Sequence, residues 1–342
     1  EGVQVRLCLR GVSLCSLFRV HENCTWMCRS GGSCIGQRRL VAVRPVLCQA
    51  EDGIRDLVRS RGLGDVYKRQ KQGWEWLWKK SARSFGEMTN LSQALREKLE
   101  ASFVLNAVTI DTFQVSRDRT IKNAFKLYDG NIVAGVLIPT ETRMTACVSS
   151  QVGCSLTCKF CATGKLERLR NLTADEIYDQ VAIIREQSEK NYGIPLSNIV
   201  YMGMGEPLLN YTNVLKSIER ITAGDGLNMA PKRITVSTAG IAKMIHKLGD
   251  DEVKFNLALS LHAANDEKRN KIMPINESNS LDALADALNH FGDKTGSRVT
   301  FEYIVFNGFN DEVKDAQELE AFCRRVKAKV NLIEYNLSLI HI

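Results

Sequence analysis

The sequence predicts an α/β fold, a partial (β/α)6 barrel preceded by a small N-terminal α+β domain that is mainly helical. Two observations carry this prediction: strand-like and helix-like runs alternate from residue 144, and polar residues stand where the strand-like runs end. Such alternation is typical of a parallel sheet with right-handed crossovers. Because barrel active sites lie at the carboxyl ends of the strands, the polar ends favour a curved barrel over a flat doubly wound sheet.

The lead-in to the barrel combines helices with short strands. Apolar residues recur every three or four positions over residues 71–103, which predicts helices, and we expect Asn90 to cap the second of them. Residues 104–139 read as short strands, with turns at residues 117–118 and 129–131. We therefore expect the lead-in to form a compact α+β domain.

The barrel is expected to contain six strands and five helices. The strand-like runs span residues 145–149, 198–202, 233–237, 255–260, 299–306 and 329–335. The helix-like runs lie between them, near residues 174–190, 210–222, 241–248, 281–292 and 312–327. Thr173 and Glu176 form a capping box that is expected to open the first helix.

The two ends of the chain differ from its middle. Residues 1–70 carry 12 basic and 6 acidic residues and six of the eleven cysteines, so the basic excess says nothing about nucleic-acid binding by the rest. Residues 51–70 and 337–342 resemble translated sequencing adapters, and we expect residues 1–70 and 337–342 to be foreign to the fold or disordered. The expected domains are then residues 71–139 and 140–336. No run of eighteen apolar residues occurs, so no membrane-spanning helix is expected.

Three cysteines follow the first barrel strand. Cys154, Cys158 and Cys161 lie within eight residues. Three thiolates can hold an iron–sulfur cluster and leave one iron open to an outside ligand, as catalysis requires. A disulfide is disfavoured because three thiols do not pair evenly. The spacing therefore favours a cluster and leaves a zinc site with a distant fourth ligand as the alternative.

A segment around these cysteines resembles a known enzyme family. Residues 145–164, which include Cys147 and the three cysteines, look like the radical-SAM adenine-C2 RNA methyltransferases, and residues 170–173 (Arg-Asn-Leu-Thr) continue the likeness. The resemblance extends over about residues 71–336. It implies a radical-SAM barrel, a 4Fe–4S cluster on the three cysteines, S-adenosyl-L-methionine (SAM), and an adenine of 23S rRNA or tRNA as substrate. The lead-in would be an accessory domain of the RNA-binding type, and the enzyme would be cytoplasmic.

Residues at the ends of four further strands match the SAM contacts of that family. They are Gly205, Glu206, Ser237, Ser260, Leu261, His262 and Asn336. A single polar residue at the end of a strand usually belongs to a turn or caps a helix. Their joint occurrence around one cysteine loop favours a ligand site. Glu206, beside two glycines, is expected to reach the ammonium group of SAM while the backbone approaches closely.

Cys147 lies on the strand that leads into the cysteine loop. By itself it would be a small buried apolar residue. The resemblance implies a catalytic cysteine: one SAM methylates another cysteine near the C-terminus, and the radical from a second SAM takes hydrogen from that methyl group. The methylene radical adds to C2 of adenine, and Cys147 attacks to release the methylated base. An electron donor such as flavodoxin or ferredoxin is implied as well.

The sequence departs from the family pattern at three points. The chain reaches Ile342 before the region of the methyl-accepting cysteine, and Cys323, in a helix-like run, is no substitute. We therefore expect these 342 residues not to complete the reaction. Ala134 stands where the family carries a glutamate, a candidate base. Arg119 replaces a turn glycine, although a side chain tolerates positive φ poorly.

Other interpretations stay open from the sequence alone. They are another radical-SAM reaction such as glycyl-radical activation, a zinc-binding interaction module without catalysis, and a chimeric fragment without its own function. Iron and sulfide in a brown protein support a radical-SAM enzyme, and zinc in a colourless protein supports the module. The choice between ribosomal and transfer RNA and the oligomeric state also stay open.

Basic residues surround the tryptophans of the lead-in. Lys79, Lys80 and Arg83, with Trp76 and Trp78, have the composition of an RNA-binding face. A charged, solvated helix face over core tryptophans explains the same pattern more simply, and we predict that arrangement.

Overall fold

The computed structural model describes residues 7–9, 12–14, 71–103, 105 and 108–335. The chain divides into two units, residues 1–39 and 40–342. In the first unit, the strands Leu7–Leu9 (β1) and Val12–Leu14 (β2) pair antiparallel. The expectations for the other residues of 1–70 and for 337–342, and the assignment of Asn336 to SAM, fall outside the described residues.

The lead-in begins with short helical turns and one regular helix. They are a π-helix at Glu75–Lys79, a 3-10 turn at Phe85–Glu87 and the α-helix Gln93–Ser102 (α1). The prediction that Asn90 caps the second helix is wrong, because α1 begins after Ser92. The Asn90 side chain instead accepts a hydrogen bond from the Trp76 indole, which ties the first turn to the loop before α1.

One nine-stranded sheet organises the larger unit. Its strands are Thr109–Val115 (β3), Ile121–Lys126 (β4), Ile132–Pro139 (β5), Met144–Cys147 (β6), Asn198–Tyr201 (β9), Ile234–Thr238 (β10), Asn256–Ser260 (β11), Val299–Val305 (β12) and Ala328–Glu334 (β13). Their order is β13-β12-β11-β10-β9-β6-β5-β4-β3. β6 and β9 to β13 are parallel, and β5, β4 and β3 extend the sheet antiparallel. Two short strands, Gln151–Val152 (β7) and Arg170–Asn171 (β8), form a separate ribbon.

Helices connect the parallel strands. They are Ala174–Tyr192 (α2), Tyr211–Thr222 (α3), Ala242–Asp250 (α4), Asp266–Ile272 (α5), Leu281–Thr295 (α6) and Val313–Arg325 (α7). With the six parallel strands they confirm the predicted α/β class and its partial (β/α)6 barrel, and the capping box of Thr173 and Glu176 opens α2. The short helix α5 escapes sequence prediction, because its one fully buried residue is Arg269. Within the described ranges, no helix combines the length and apolar composition needed to cross a bilayer.

The two faces of the parallel sheet differ. Side chains such as Val236 and Phe301 are fully buried on the helix-covered face, where Phe301 meets Phe322 of α7 with ring centres 5.3 Å apart. Thr145 and Cys147 of β6 are only half-buried. Because successive residues of a strand alternate between faces, Cys147 lies on the face opposite the helices, which is the inner face of the barrel.

The antiparallel strands end in an exposed edge and a strained turn. β3 is exposed along its whole length, and a register shift at Asp111 interrupts its pairing with β4. In the next turn Arg119 has φ +71, a conformation that costs about 1–2 kcal/mol in a residue other than glycine. The Tyr192 hydroxyl donates to the Arg119 carbonyl at 2.6 Å, and the guanidinium lies 4.5 Å from the tyrosine ring centre. Arg119 therefore adopts the positive φ of a turn glycine, and its contacts with Tyr192 stabilise this conformation.

The sheet runs without a break from the lead-in into the barrel, because β5 pairs with β6. The buried Trp78 packs edge-on against Tyr178 of α2, with ring centres 5.0 Å apart, while Lys79 and Lys80 are exposed. Arg83 pairs with Glu186 of α2 at 2.9 Å. These contacts agree with a solvated helix face over a core tryptophan. The division at residues 139 and 140 crosses a continuous sheet, and two domains stay a prediction.

Replacing Gly135 with alanine should destabilise the fold. The new methyl group would stand 2.3 Å from Cε2 of Phe125, a fully buried ring, so the ring or the strand must shift. Overpacking of this kind costs about 1–3 kcal/mol. Chemical denaturation should show a lower free energy of unfolding. Gly292→Ala on α6 is the control: open space surrounds it, and alanine gains up to about 1 kcal/mol inside a helix. Equal destabilisation by both changes would contradict this account.

Candidate active site

The cysteine loop leaves and returns through the ribbon of β7 and β8. Gln151 pairs with Asn171 in this ribbon, so the two ends of the loop are hydrogen-bonded side by side. Gly153 begins the loop at φ +75, and a side chain there would stand 1.9 Å from the carbonyl oxygen of Glu167. The chain therefore crosses itself at the base of the loop, and only glycine fits the crossing.

Arg170 clamps the returning strand to two other parts of the molecule. Its two Nη atoms donate to Glu176 at 2.8 Å each, and its Nε donates to Asp129 at 2.6 Å. Burial alone would lower the pKa of Arg170, but the hydrogen bonds to Glu176 and Asp129 raise it above its usual value. Glu176 also accepts the backbone N–H of Thr173 at the start of α2. Residues 170–173 thus fix the loop to α2 and to the β4–β5 turn.

Gln151 joins the base of the loop to the segment after β9. Its Oε1 accepts the backbone N–H of Glu206 at 2.9 Å. Gly205, at φ +95, lies so close that a side chain would stand 2.5 Å from Cβ of Gln151, and one at Gly203 would stand 2.7 Å from Oγ of Ser149. The two glycines therefore allow the segment after β9 to pack directly on residues 149–151. The assignment of Gly205 to SAM stays a prediction.

The three loop cysteines are free thiols that lie close enough to influence one another electrostatically. Burial, with smaller contributions from Cys161 and Cys154, raises the pKa of the Cys158 thiol to about 12. Burial also raises the pKa of Cys154. A bound cationic metal stabilises thiolates and reverses such shifts. Three sulfur donors on one loop fit the ligand set of an iron–sulfur cluster with one open iron, although the three sulfur atoms do not all lie within 4.8 Å of one another in this structure.

The cysteine loop reaches across the carboxyl ends of the parallel strands. The ring of Phe160, between two of the cysteines, meets the ring of His262 after β11, with centres 4.5 Å apart. The backbone N–H of Lys159 donates to the carbonyl of Ile272 in α5 at 2.9 Å. Since β9 and β10 separate β6 from β11 in the sheet, these contacts require the strand ends to converge, as they do in a barrel.

His262 is a buried, neutral imidazole. Its Nδ1 accepts the backbone N–H of Ile304 at 3.1 Å, so the ring proton lies on Nε2. Burial, followed by the charge of Arg269, lowers the pKa of His262 to about 3. The backbone has φ +55, and its carbonyl accepts from Nδ2 of Asn310 at 2.7 Å. The imidazole of His262 is therefore neutral near pH 7 and has one hydrogen-bond donor, Nε2–H.

The carboxylate of Glu206 joins two strand ends. It accepts the backbone N–H of Leu208 at 3.0 Å and that of Ala239, just after β10, at 2.7 Å. Burial raises the pKa of Glu206, and these backbone hydrogen bonds oppose the rise. A carboxylate has about four lone-pair positions, so positions are left for an ammonium group.

The other predicted strand-end residues lie on the same edge of the sheet. Ser237 is near the end of β10, and Ser260 ends β11. Leu261 is fully buried, and its backbone N–H donates to the Glu302 carbonyl at 3.0 Å. The structure thus brings these residues, Glu206 and His262 to the edge over which the cysteine loop lies.

Arg269 is a further residue of the site that no sequence pattern predicts. Its guanidinium is fully buried and donates to carbonyl groups at the ends of β10 and β11, at 2.6 to 3.1 Å. Burial lowers the pKa of Arg269 to about 10, which still leaves a cation at neutral pH. Its charge favours the ionised form of Cys158. No apolar periodicity marks α5, so the sequence carries no signal for this residue.

Cys147 ends β6 on the inner face of the barrel. Burial raises the pKa of its thiol to about 11, and a hydrogen bond from the backbone N–H of Met202 opposes the rise. The thiol is therefore protonated at neutral pH in this state. Cys323 lies elsewhere, half-buried on α7 against the core, which agrees with a structural role.

Two family models match the chain. The model of the radical SAM superfamily matches residues 148–319, which include the cysteine loop. The model of the ribosomal RNA large subunit methyltransferase N-terminal domain matches residues 55–105. This second match begins inside residues 51–70, the segment for which the sequence suggests a foreign origin.

Individual relatives agree with the family models. The chain is 64% identical over 273 residues to a protein of Cytophaga hutchinsonii named "probable dual-specificity RNA methyltransferase", covering 80% of this chain and 75% of the relative. It is 45% identical over 282 residues to a dual-specificity RNA methyltransferase of Nitratidesulfovibrio vulgaris, covering 80% and 77%. The crystal structure of a radical SAM methyltransferase from Sphaerobacter thermophilus has a TM-score of 0.78 at 36% identity, over 85% of this chain and 83% of that one.

Gly153→Ala should prevent the loop from holding a metal cluster. The added methyl group overlaps the Glu167 carbonyl, so the loop cannot close at its base. We expect iron and sulfide per chain after anaerobic reconstitution to fall about tenfold or more. Gly193→Ala is the control, because that residue also has positive φ, at +66, but open space around it. Full iron content in Gly153→Ala would contradict the crossing.

The buried neutral His262 should make the fold sensitive to acid. In the unfolded chain the His262 imidazole has its ordinary pKa of 6.5, whereas in the folded protein its pKa is about 3. Protons therefore bind the unfolded chain more strongly, and the folded state loses stability as the pH falls from 6.5 to about 3. The loss amounts to about 1.4 kcal/mol per pH unit. His262→Asn, which tolerates positive φ, should flatten the dependence of unfolding free energy on pH. Parallel pH curves for the two proteins would refute this.

Proposed function

Because the chain belongs to the radical-SAM family of dual-specificity RNA methyltransferases, we propose that it methylates C2 of an adenine in 23S rRNA or tRNA. The observation that carries the proposal is the cysteine loop, closed at its base and laid across strand ends that bear Glu206 and His262. The proposed cofactors are a 4Fe–4S cluster and SAM. The cluster would supply the electron that cleaves SAM, and radical chemistry suits C2 of adenine because that carbon is not nucleophilic.

The chain's own residues would hold and orient these groups. Cys154, Cys158 and Cys161 would ligate three irons, and the cation of Arg269 would offset part of the negative charge of the thiolates. Glu206 would accept the ammonium group of SAM, since two backbone N–H groups already hold its carboxylate in place. Ser237, Ser260, Leu261, Asn336 and the Nε2–H of His262 would complete the contacts.

Cys147 would release the methylated base. A pKa of about 11 keeps its thiol protonated in the protein alone, so it is a poor nucleophile toward SAM. The proposed attack requires the thiolate, and proton loss would therefore follow the approach of the RNA substrate. Ala134, on the neighbouring strand β5, has no carboxylate that could act as a base. Its backbone N–H lies 3.3 Å from the Met204 sulfur.

We also propose roles for the lead-in and for an external electron donor. Residues 71–139 would form the accessory domain, and the family match over residues 55–105 supports that role. An external reductant such as flavodoxin or ferredoxin would deliver the electron. We further propose a cytoplasmic location, where RNA and reductant are both present.

Cluster assembly and SAM cleavage test the cofactors. After anaerobic reconstitution the protein should be brown, with about four irons and four sulfides per chain, and should form 5′-deoxyadenosine from SAM and a reductant. Cys158→Ser should lose both properties, and Cys323→Ser should keep them. Zinc in a colourless, inactive protein would overturn the cofactor assignment.

RNA methylation tests the reaction. A gene that carries these residues together with a C-terminal methyl-accepting cysteine would be expressed in cells that lack adenine-C2 methylation, and 2-methyladenosine should appear in digests of 23S rRNA or tRNA. Cys147→Ser should abolish that product and leave SAM cleavage intact. Methylation at another adenine carbon, or SAM cleavage with no methylated adenosine, would contradict the proposal.

A further inference from the structure

Two histidines and an aspartate meet on the outer helices of the barrel. His246 and Asp250 are one turn apart on α4, and His290 is on α6. One ligand atom from each lies within 4.8 Å of the other two. We propose that these three residues form a binding site for a divalent transition-metal ion such as Zn²⁺, which ties α4 to α6.

The site lies at the opposite end of the barrel from the cysteine loop. α4 begins beyond the carboxyl end of β10, and its chain then runs back to the start of β11. Asp250 is the last residue of α4, and His290 is in the last turns of α6 before β12. Both residues are therefore near the amino ends of the strands, so this site is separate from the proposed cluster and SAM site.

One carboxylate holds both imidazoles. Oδ2 of Asp250 lies 3.2 Å from Nδ1 of His246, and Oδ1 lies 2.8 Å from Nε2 of His290. The two rings stack with centres 3.6 Å apart and planes 10° from parallel. Hydrogen bonds to His290 and then to His246 lower the pKa of Asp250, so the carboxylate is ionised at neutral pH.

The backbone is shaped for this arrangement. A side chain at Gly249 would stand 2.7 Å from Cδ2 of His290, so the glycine allows that ring to lie directly on the backbone of α4. The i, i+4 spacing of His246 and Asp250 places both on one helix face. Two independent features, a helix spacing and a close approach between helices, therefore bring the three ligand atoms together.

The donor set matches zinc chemistry. Two imidazole nitrogens and one carboxylate oxygen bind Zn²⁺ at about 2.0–2.2 Å, which separates the ligands of a tetrahedral site by roughly 3.4 Å. The nitrogen–oxygen separations of 2.8 and 3.2 Å, which run to the two oxygens of Asp250, are close to that value, and the three ligand atoms all lie within 4.8 Å of one another. The imidazoles must turn out of their stack, and His246 can do so because its side chain is 53% exposed. The ion would replace the protons that now bridge nitrogen and oxygen.

A matched pair of variants on α4 tests the site. Zn²⁺ would be titrated by calorimetry into the cluster-loaded protein, in which iron occupies the three loop cysteines and the six cysteines of residues 1–70 have been changed to serine. We expect one Zn²⁺ per chain and a dissociation constant raised about tenfold or more in Asp250→Asn. Asp251→Asn should bind as the wild type, because Asp251 bonds to Tyr211 and Lys247 instead. Gly249→Ala should also weaken binding.

The spectrum of Co²⁺ identifies the ligands. Co²⁺ added to the cluster-loaded protein should give ligand-field bands that Asp250→Asn loses, with no thiolate charge-transfer band. Equal Zn²⁺ affinity in the wild type and Asp250→Asn, no bound Zn²⁺ in the wild type, or a thiolate band from the added Co²⁺ would each overturn the proposal.

Discussion

The crossing of the chain at Gly153 and Glu167 is the constraint on which the candidate active site depends. Three thiols on an open loop would lose much conformational entropy on gathering around one cluster. The ribbon of β7 and β8 and the Arg170–Glu176 pair hold both ends of the loop before any metal binds. Gln151 then joins the loop to the segment that contains Glu206, so cluster ligands and strand ends share one rigid support.

Two buried ionisable side chains, Arg269 and Glu206, lie near the cysteine loop and the strand ends. Arg269 is a buried cation whose described hydrogen-bond partners are carbonyl and amide oxygens, and Glu206 is a buried carboxylate held by backbone N–H groups. Burying an ion without a counter-ion destabilises a protein. A cluster with thiolate ligands would add negative charge near Arg269, on which the Asp266 carboxylate already acts, and a cofactor with an ammonium group would add positive charge near Glu206. The loaded protein should therefore be more stable than the empty one.

The sequence predicts most of the fold because alternating apolar runs and caps are local signals. All six parallel strands and the capping box of Thr173 follow from such signals. α5 does not, since its buried residue is an arginine whose partners are distant carbonyls. The cap at Asn90 failed because Trp76 takes that side chain. The close packing of Gly203 and Gly205 on residues 149–151 could not be predicted, because the sequence does not show which residues pack against a glycine.

The exposed strand β3 affects how the protein behaves in solution. An edge strand presents unpaired backbone groups that can add a strand from another molecule. Phe113 and Val115 are more than half exposed on this edge, which makes such pairing more favourable. The bulge at Asp111 opposes it, because an extra residue twists the strand and a carboxylate repels its own copy. The bulge at Asp111 therefore disfavours edge-to-edge pairing of β3 with another molecule.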